Sequence, residues 1–162
     1  MIHGEDLKSF TIFNGLQPDQ LDAVAGLCGE WECGKGQYVF KVGDESENLY
    51  ILRYGEVEVL GLEGIITNQR LAVMGEGEIF GELAFVDGIP RTASVRCMEP
   101  SLLLSITRTD FRKLGRTNPD IQLVMYRNIA KILAGRLRAA DAALREHVFR
   151  KKSIASRLIS SI

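Results

Sequence analysis

The sequence predicts an α+β fold in which an antiparallel β-roll, similar to a jelly-roll barrel, has a short helix before it and a long helix after it. Between residues 30 and 107, short β-rich runs alternate with glycines, a pattern typical of closely spaced strands joined by turns. On both sides of this region the apolar residues recur at helical spacing. A length of 162 residues and a hydrophobic content of 46% fit one globular domain with a substantial core.

The short N-terminal helix is expected to begin at Pro18. Proline suits the first helical position because the N–H that it lacks would have no partner there. Apolar residues follow at helical spacing, namely Leu21, Val24, Ala25 and Leu27. Gly26 and Gly29 mark the end of the helix, since glycine commonly terminates helices.

Seven strands are predicted for the β-roll. They are Trp31–Cys33, Tyr38–Lys41, Leu49–Arg53, Glu56–Leu60, Arg70–Met74, Thr92–Cys97 and Leu102–Ile106. In the fourth, Val57 and Val59 alternate with Glu56 and Glu58, as expected for a strand with one buried face and one face toward water. Gly43–Asp44 fits a turn, because glycine reaches positive φ without steric cost.

Two helices are expected after Thr107. The first has Thr109–Asp110 as its N-cap and Gly115 as its end. The second has Asn118 as its cap and Pro119 at its first position. We therefore divide the chain into residues 1–117 (N-terminal helix, β-roll and short helix), 118–149 (long helix, for closure of a site or dimerisation) and 150–162 (basic tail).

The long helix carries a seven-residue pattern of mainly apolar positions. Two series interleave along it: Leu123, Ala130, Leu137 and Leu144, and Tyr126, Leu133, Ala140 and His147. Ile121, Met125 and Ile132 occupy a neighbouring face. Two apolar faces on one helix indicate that one packs on the roll and the other on a second subunit, so we expect a homodimer through this helix. The alternative is a solitary core helix, which so short a pattern also fits.

Membrane association is not expected, because no apolar stretch of the sequence is long enough to span a bilayer as a helix. The first residues, Met1–Lys8, contain two acidic side chains and lack the apolar region of a signal peptide. We therefore expect a cytoplasmic location.

The cysteines and histidines give no reason to expect a metal site or a disulfide. Cys28, Cys33 and Cys97 are odd in number and form no CxxC pair, so free thiols are predicted. The two histidines, His3 and His147, lie at opposite ends of the chain, which leaves little material for a zinc site or a catalytic triad.

The net charge of −1 conceals an asymmetry between the two parts of the chain. Residues 1–100 hold 7 Lys and Arg against 17 Asp and Glu, whereas residues 101–162 hold 13 against 4. The basic part could bind an acidic partner, or it could balance the acidic part within the protein or across a subunit contact.

The most informative stretch is Phe80–Val95, which reads Phe-Gly-Glu-Leu-Ala-Phe-Val-Asp-Gly-Ile-Pro-Arg-Thr-Ala-Ser-Val. Glu82 can accept hydrogen bonds from sugar hydroxyls, and Arg91 can bind phosphate in a bidentate manner, so the pair suggests a nucleotide. Gly81 leaves room for a close ligand, and the N–H groups of Leu83 and Ala84 near a helix start can point at an anion. The alternative is a salt bridge between Glu82 and Arg91 with no ligand.

This stretch closely resembles the phosphate-binding cassette of the cyclic nucleotide-binding domain family. The family pattern is Phe-Gly-Glu-Leu-Ala, a short spacer, and then Arg-x-Ala-Ser/Thr-Val, and the resemblance extends from about residue 10 to about residue 147. It implies that Arg91 neutralises the cyclic phosphate, that Glu82 accepts the ribose 2′-hydroxyl, and that the backbone of Ala93 adds a donor. The small residues Ala84 and Ala93 would make room for the sugar phosphate.

The base of the ligand is less clearly specified. Members of the family often use a threonine at the position of Thr92 to contact guanine, but threonine also occurs in members that prefer cAMP, so cAMP is favoured and cGMP stays open. The catabolite-activator branch of the family offers hydroxyl side chains to adenine where this chain has Arg136 and Leu137. This departure makes Arg136 a candidate for contact with the base. The alternative is a solvated arginine on a basic helix face.

The resemblance implies a non-catalytic cyclic nucleotide sensor that uses no cofactor or metal and acts on an unknown effector protein. Ligand binding is expected to reorder the cassette helix and to draw the long helix over the site. The first alternative is a truncated or atypical transcription regulator of the catabolite-activator type. We do not expect DNA binding, because the 14 residues after Val148 are too few for a helix-turn-helix. The run Arg150-Lys151-Lys152 could still contact phosphates without sequence preference.

The second alternative is an enzyme that hydrolyses the same nucleotide. Hydrolysis would require metal ligands or a positioned general base. The sequence offers neither a histidine cluster nor several acidic residues around the cassette. No catalytic residue is therefore predicted.

Overall fold

The computed structural model describes residues 2–61 and 69–159, with side chains described as far as residue 150. The chain divides into two compact units, Met1–Met125 and Tyr126–Ile162. The helices are α1 (Gly4–Leu7), α2 (Pro18–Ala25), α3 (Glu82–Asp87), α4 (Arg108–Thr117) and α5 (Pro119–Ile159), and a 3₁₀ turn lies at Thr11–Phe13. The strands are β1 (Gly29–Cys33), β2 (Tyr38–Phe40), β3 (Leu49–Tyr54), β4 (Val57–Leu60), β5 (Arg70–Met74), β6 (Ile79–Phe80), β7 (Ser94–Cys97) and β8 (Ser101–Ile106).

The strands form two four-stranded antiparallel sheets. The first sheet has the order β1-β8-β3-β6, and the second has the order β2-β7-β4-β5. In the first, Trp31 lies opposite Leu103, and in the second, Val59 lies opposite Val95. The predicted α+β fold with antiparallel strands is thus confirmed. Within the described residues, however, the two sheets do not close into a single barrel.

A core of apolar side chains joins the two sheets. Its members from the first sheet are Cys33, Tyr50, Leu52, Phe80 and Leu103, and its members from the second are Val39, Phe40, Val57, Val95 and Cys97. Val59 and Met74 pack at its margin. The prediction that Val57 and Val59 of β4 face the core is therefore confirmed. Burial of this face stabilises the fold because it removes apolar surface from water.

The structure corrects the prediction for the other face of β4. Glu58, expected to face water, is only 5% exposed. Arg96 covers its carboxylate from β7 and Arg70 covers it from β5, with Nε···O distances of 2.8 Å to each. The two guanidinium groups supply the hydrogen bonds that a buried carboxylate requires.

The seven predicted strands are present: Arg70–Met74 has the predicted bounds, and the other six differ from the prediction by one or two residues at one end. An eighth strand, β6, was missed because a two-residue strand is too short to show alternation. The short helix α1 was missed for the same reason of length. The helix predicted after Pro18 is confirmed, with Pro18 in its first turn.

The predicted boundaries of α4 were wrong at both ends. The N-cap is Thr107, whose hydroxyl accepts a hydrogen bond from the N–H of Asp110 at 3.0 Å, and not Thr109–Asp110. The helix also continues through Gly115 to Thr117. A Cβ at Gly115 would collide with the side chain of Gln122, so this glycine allows close packing and does not terminate the helix.

The long helix α5 begins at Pro119, as predicted. Ile121 and Met125, in its first turns, are fully buried in the first unit. In the second unit, Leu137 and Leu144 of the seven-residue pattern are 71% and 62% exposed. The predicted basic tail, 150–162, is helical as far as Ile159, and its side chains beyond residue 150 lie outside the described residues. Within the described part of the chain, no helix is both long and apolar enough to cross a bilayer.

Candidate functional site

A pocket of about 660 Å³, including the space at its mouth, lies beside α3 in the first unit. Seven residues predicted for ligand binding line it: Gly81, Glu82, Leu83, Ala84, Arg91, Thr92 and Ala93. Apolar side chains from both sheets form another part of the wall, among them Phe40 and Phe80. The structure therefore brings together, in one concave site, the two ends of the stretch that the sequence singled out.

Gly81 directs the chain from β6 into α3. Its φ of +77° lies in the left-handed region, where glycine has no steric penalty. A Cβ at this position would lie 2.8 Å from the carbonyl oxygen of Asn48 and 2.7 Å from Nη1 of Arg91. The space that the missing side chain provides is thus used by the protein itself, which packs Arg91 and Asn48 against the start of α3.

Arg91 makes several hydrogen bonds in the wall of the pocket and is only 4% exposed. Its Nη1 donates to the carbonyl of Gly81 at 2.7 Å, and its Nη2 donates to the carbonyl of Asn48 at 2.6 Å. Nε and Nη2 also donate to the hydroxyl of Ser46, at 3.3 and 3.2 Å. These contacts fix the plane of the guanidinium against α3 on one side and the loop before β3 on the other.

The charge of Arg91 lies in a partly apolar setting. Its guanidinium covers the rings of Phe40 and Tyr50. Burial, the largest effect, lowers the pKa of Arg91, and Tyr50 and Glu82 act in the opposite direction. Arginine keeps its proton in proteins, so the pocket contains a buried positive charge. A bound anion would reduce the cost of burying that charge.

Glu82 is the first residue of α3 and is 7% exposed in the wall of the pocket. Asp87, at the other end of the helix, also lines the pocket, but its side chain is exposed and accepts a hydrogen bond from the N–H of Ile89 at 2.9 Å. The pocket therefore offers one buried and one exposed carboxylate, at opposite ends of α3.

The rim of the pocket is apolar on the α3 side. Leu83 on α3 and Ile89 just after it line the pocket and are 47% and 57% exposed. Thr92 is exposed at the same pocket and Ala93 is half-buried. The rim can thus contact a flat apolar group such as a nucleobase, while the buried charges lie deeper.

The loop between β2 and β3 was not predicted to belong to the site. Besides Ser46 and Asn48, it holds the backbone of Arg91, whose N–H donates to Asp44 and whose carbonyl accepts from the N–H of Gly43, at 2.9 and 2.7 Å. The turn at Gly43–Asp44 was correctly predicted, but nothing in its sequence indicates contact with Arg91. That contact spans more than forty residues of chain and appears only in the fold.

Arg136, the remaining predicted site residue, lies on α5 in the second unit, where it is half-buried. Its role toward the base stays a prediction.

The three cysteines are free thiols, as predicted, and burial raises the pKa of Cys28 and Cys97 to about 12, which leaves these two thiols unreactive. Within the described residues, no cluster of His, Cys, Asp or Glu side chains could hold a metal ion.

Comparison with known proteins agrees with this geometry. A family model described as the cyclic nucleotide-binding domain matches residues 30–118. Among curated relatives, a cyclic AMP receptor protein of Thermus thermophilus is 32% identical over 85% of this chain and 62% of its own length. A cAMP-dependent protein kinase regulatory subunit of Yarrowia lipolytica is 33% identical over 74% of this chain and 31% of its own length.

A solved structure gives the same picture. The catabolite activator protein of Thermus thermophilus superposes with a TM-score of 0.72 at 32% identity, over 83% of this chain and 61% of that one. The chain thus spans less than two thirds of the length of each of these relatives.

Proposed function

The chain belongs to the cyclic nucleotide-binding domain family, and from this premise we propose that it is a non-catalytic sensor that binds cAMP in the pocket beside α3. The observation that carries the proposal is the buried guanidinium of Arg91, held in place at the pocket by Gly81, Asn48 and Ser46. A fixed buried cation beside an apolar rim suits a ligand that combines a phosphate with a base.

Each pocket residue then has a proposed role. Arg91 neutralises the cyclic phosphate, and the N–H groups of Leu83, Ala84 and Ala93 add donors to its oxygens. Glu82, whose carboxylate lies in the pocket wall, accepts the ribose 2′-hydroxyl, because carboxylate oxygens are hydrogen-bond acceptors. Thr92, exposed at the pocket, would allow contact with guanine, so cGMP is a second proposed ligand.

The proposed output is a change in the C-terminal helix. Ligand binding would reorder α3 and draw the long C-terminal helix α5 over the site. Arg136, on α5, is a candidate for contact with the base. A rearrangement of this kind would cover the exposed apolar side chains of Leu83 and Ile89 at the pocket rim. A cytoplasmic sensor of this kind would act on an effector protein whose identity the site does not specify.

We also propose that the protein is a homodimer through α5. Leu137 and Leu144 lie seven residues apart and are both largely exposed, which favours pairing with a second copy over a solitary helix. Sedimentation should give a dimer at micromolar concentration, and Leu137→Glu should shift it to a monomer. Arg138→Glu, at the neighbouring exposed position, is the control for added negative charge. A wild-type protein that sediments as a monomer with and without cAMP would contradict the dimer.

Calorimetric titration with cAMP, cGMP and 5′-AMP tests the proposed function directly. Both cyclic nucleotides should bind at one site per chain, and 5′-AMP, which has an open and more highly charged phosphate, should bind more weakly. The nucleotide recovered after prolonged incubation with protein and divalent metal should be unchanged. An absence of binding for both cyclic nucleotides would overturn the sensor, and hydrolysis would favour an enzyme.

A further inference from the structure

Two arginines connect the same pair of segments in the first unit. Arg91 links the carbonyl of Gly81, directly before α3, to the carbonyl of Asn48 in the loop before β3. Arg108 links the carbonyl of Val86, near the end of α3, to the carboxylate of Glu47 in the same loop. The distances in the second link are 3.3 Å from Nη2 to Val86 and 2.9 Å from Nη1 to Glu47. The helix α3 is therefore held to one loop at both of its ends.

Arg108 makes these contacts from a largely buried position. Its side chain is 11% exposed, whereas that of Glu47 is 39% exposed. Its Nε is buried and has no hydrogen-bond partner among the described residues. Burying a guanidinium with an unpaired N–H costs free energy. The contacts with Glu47 and Val86 must offset that cost, which makes them strong determinants of where Arg108 lies.

Gly88 provides the space for this arginine. It caps the end of α3 in the left-handed conformation, with φ of +78°, and its N–H donates to the carbonyl of Ala84 at 2.9 Å. A Cβ at Gly88 would collide with Nη1 of Arg108 and would lie 3.2 Å from Oε1 of Glu47. The turn that ends α3 and the arginine that binds it are therefore fitted to each other.

Arg108 also has a defined place in the chain. It is the first residue of α4, directly after the N-cap Thr107. The cap hydrogen bond between Thr107 and Asp110 fixes the backbone from which the side chain of Arg108 extends. A shift of α3 would thus be transmitted to the start of α4 through a single side chain.

We propose that Arg108 is a positioning residue for the nucleotide site, an inference that rests on the function proposed above. When a phosphate binds to Arg91, it competes with the carbonyls of Gly81 and Asn48 for the N–H donors of that guanidinium. Arg108 then holds α3 against the loop from its other end. The donors at the start of α3 therefore stay aligned with the phosphate. Because Arg108 belongs to α4, a displacement of α3 is also transmitted to α4.

The experiment compares four single variants of the full chain. Arg108→Met removes the charge and keeps a long side chain. Arg108→Lys keeps the charge but lacks the two Nη donors that bind Glu47 and Val86. Glu47→Ala removes the carboxylate that Arg108 binds. Arg112→Met, at an exposed position of the same helix, is the matched control. Each is measured by cAMP affinity, by thermal unfolding and, without ligand, by amide hydrogen exchange of residues 82–88 against residues 49–54.

Arg108→Met should lower cAMP affinity by about 5- to 20-fold, in the lower part of the usual range for coupling between two sites, and should speed exchange in residues 82–88 but not in 49–54. In both cAMP affinity and exchange rate, Arg108→Lys and Glu47→Ala should lie between Arg108→Met and the wild type. Arg112→Met should match the wild type in both. Combining Arg108→Met with Glu47→Ala should add little to Arg108→Met alone, because both remove the same contact.

Two results would overturn the inference. One is a lower unfolding temperature with unchanged affinity and unchanged exchange in residues 82–88, which would make Arg108 a purely structural residue. The other is full additivity of the double variant, which would mean that Glu47 and Arg108 act separately. If Arg108→Met does not fold, Glu47→Ala and Arg108→Lys decide the same question. A wild-type protein that binds no cyclic nucleotide would overturn the proposed function and the affinity effect with it, while the exchange measurement would still decide whether Arg108 holds α3.

Discussion

The guanidinium carbon of Arg91 lies 4.1 Å from the centroid of the Phe40 ring. Behind it, the rings of Phe40, Tyr50 and Phe80 contact one another, with Tyr50 and Phe80 stacked at 5.4 Å and an interplanar angle of 14°. These rings come from both sheets. The cation at the pocket thus packs on the core that joins the sheets, and contacts within the protein fix its position. A preorganised group loses less entropy when it binds its ligand.

Replacement of Phe40 by leucine should weaken cAMP binding because it removes the ring beneath Arg91. A cation–π contact contributes about 0.5–2 kcal/mol, so we expect an affinity loss of about twofold to thirtyfold by calorimetry. Phe10→Leu is the matched control, since Phe10 is buried in the N-terminal part, where its ring contacts Phe13. Both variants should unfold at lower temperature, and only Phe40→Leu should lose affinity. Equal affinity in both variants would show that the ring does not support Arg91.

Replacement of Arg91 itself should have a much larger effect. Charge-assisted hydrogen bonds contribute about 1.5–3 kcal/mol each, so Arg91→Ala should lower cAMP affinity about 100-fold or more. Arg91→Lys keeps the charge but cannot donate to Gly81, Asn48 and a phosphate at once. Its cAMP affinity should therefore lie between that of the wild type and that of Arg91→Ala. Arg112→Ala, at an exposed site on α4, controls for the loss of a positive charge. Wild-type affinity in a folded Arg91→Ala protein would contradict the proposed phosphate site.

The sequence predicted the elements of this fold better than their edges. Regular alternation and helical spacing identified seven strands and the longer helices, because both periods are set by the backbone geometry. The start of α4 was misplaced although the signal was present: Thr107 and Asp110 have the spacing of a capping box, which distinguishes Thr107 from Thr109. The burial of Glu58 was different in kind, since it depends on a register that places Arg96 opposite it on another strand.

The candidate site shows the same division. Residues 81–84 and 91–93 were predicted together because they belong to one short stretch of sequence, and the structure places them around one pocket. Ser46, Asn48 and Phe40 were missed, because their contact with Arg91 depends on how the loop before β3 meets α3. No local pattern in the sequence encodes that contact. The residues that hold Arg91 in place are therefore harder to predict from the sequence than the residues that would contact the ligand.

Glu82 should be recognised by its effect on the ribose. If its carboxylate accepts the 2′-hydroxyl, the wild-type protein should prefer cAMP to 2′-deoxy-cAMP by about tenfold, the value of a hydrogen bond to a charged group. Glu82→Gln should lose most of that preference and bind cAMP about tenfold more weakly. Asp87→Asn is a close control, because Asp87 is also acidic and also lines the pocket. A preference that survives in Glu82→Gln would assign the hydroxyl to another group.

Glu58 leads to a prediction about stability at different pH values. Hydrogen bonds from Arg96, the largest effect, and from Arg70 lower the pKa of Glu58 below its ordinary value of 4.5. A carboxyl group with a lower pKa in the folded state stabilises the protein above the pKa of the unfolded state. That contribution is lost as the pH falls through the lower, folded pKa. Glu58 should therefore stabilise the protein at neutral pH and lose this effect in acid.

Urea unfolding of the wild type and Glu58→Gln at several pH values measures this contribution. At pH 6–8 the variant should be less stable by about 1–2 kcal/mol, because a neutral amide makes weaker hydrogen bonds to two arginines. The difference should be constant in that range and shrink as the pH falls below 4.5, the ordinary pKa of the group. Glu56→Gln, two residues before Glu58 and just outside β4, is the control for the same change of side chain. If the difference between the wild type and Glu58→Gln stayed the same down to pH 3, the two arginines would not lower the pKa of Glu58.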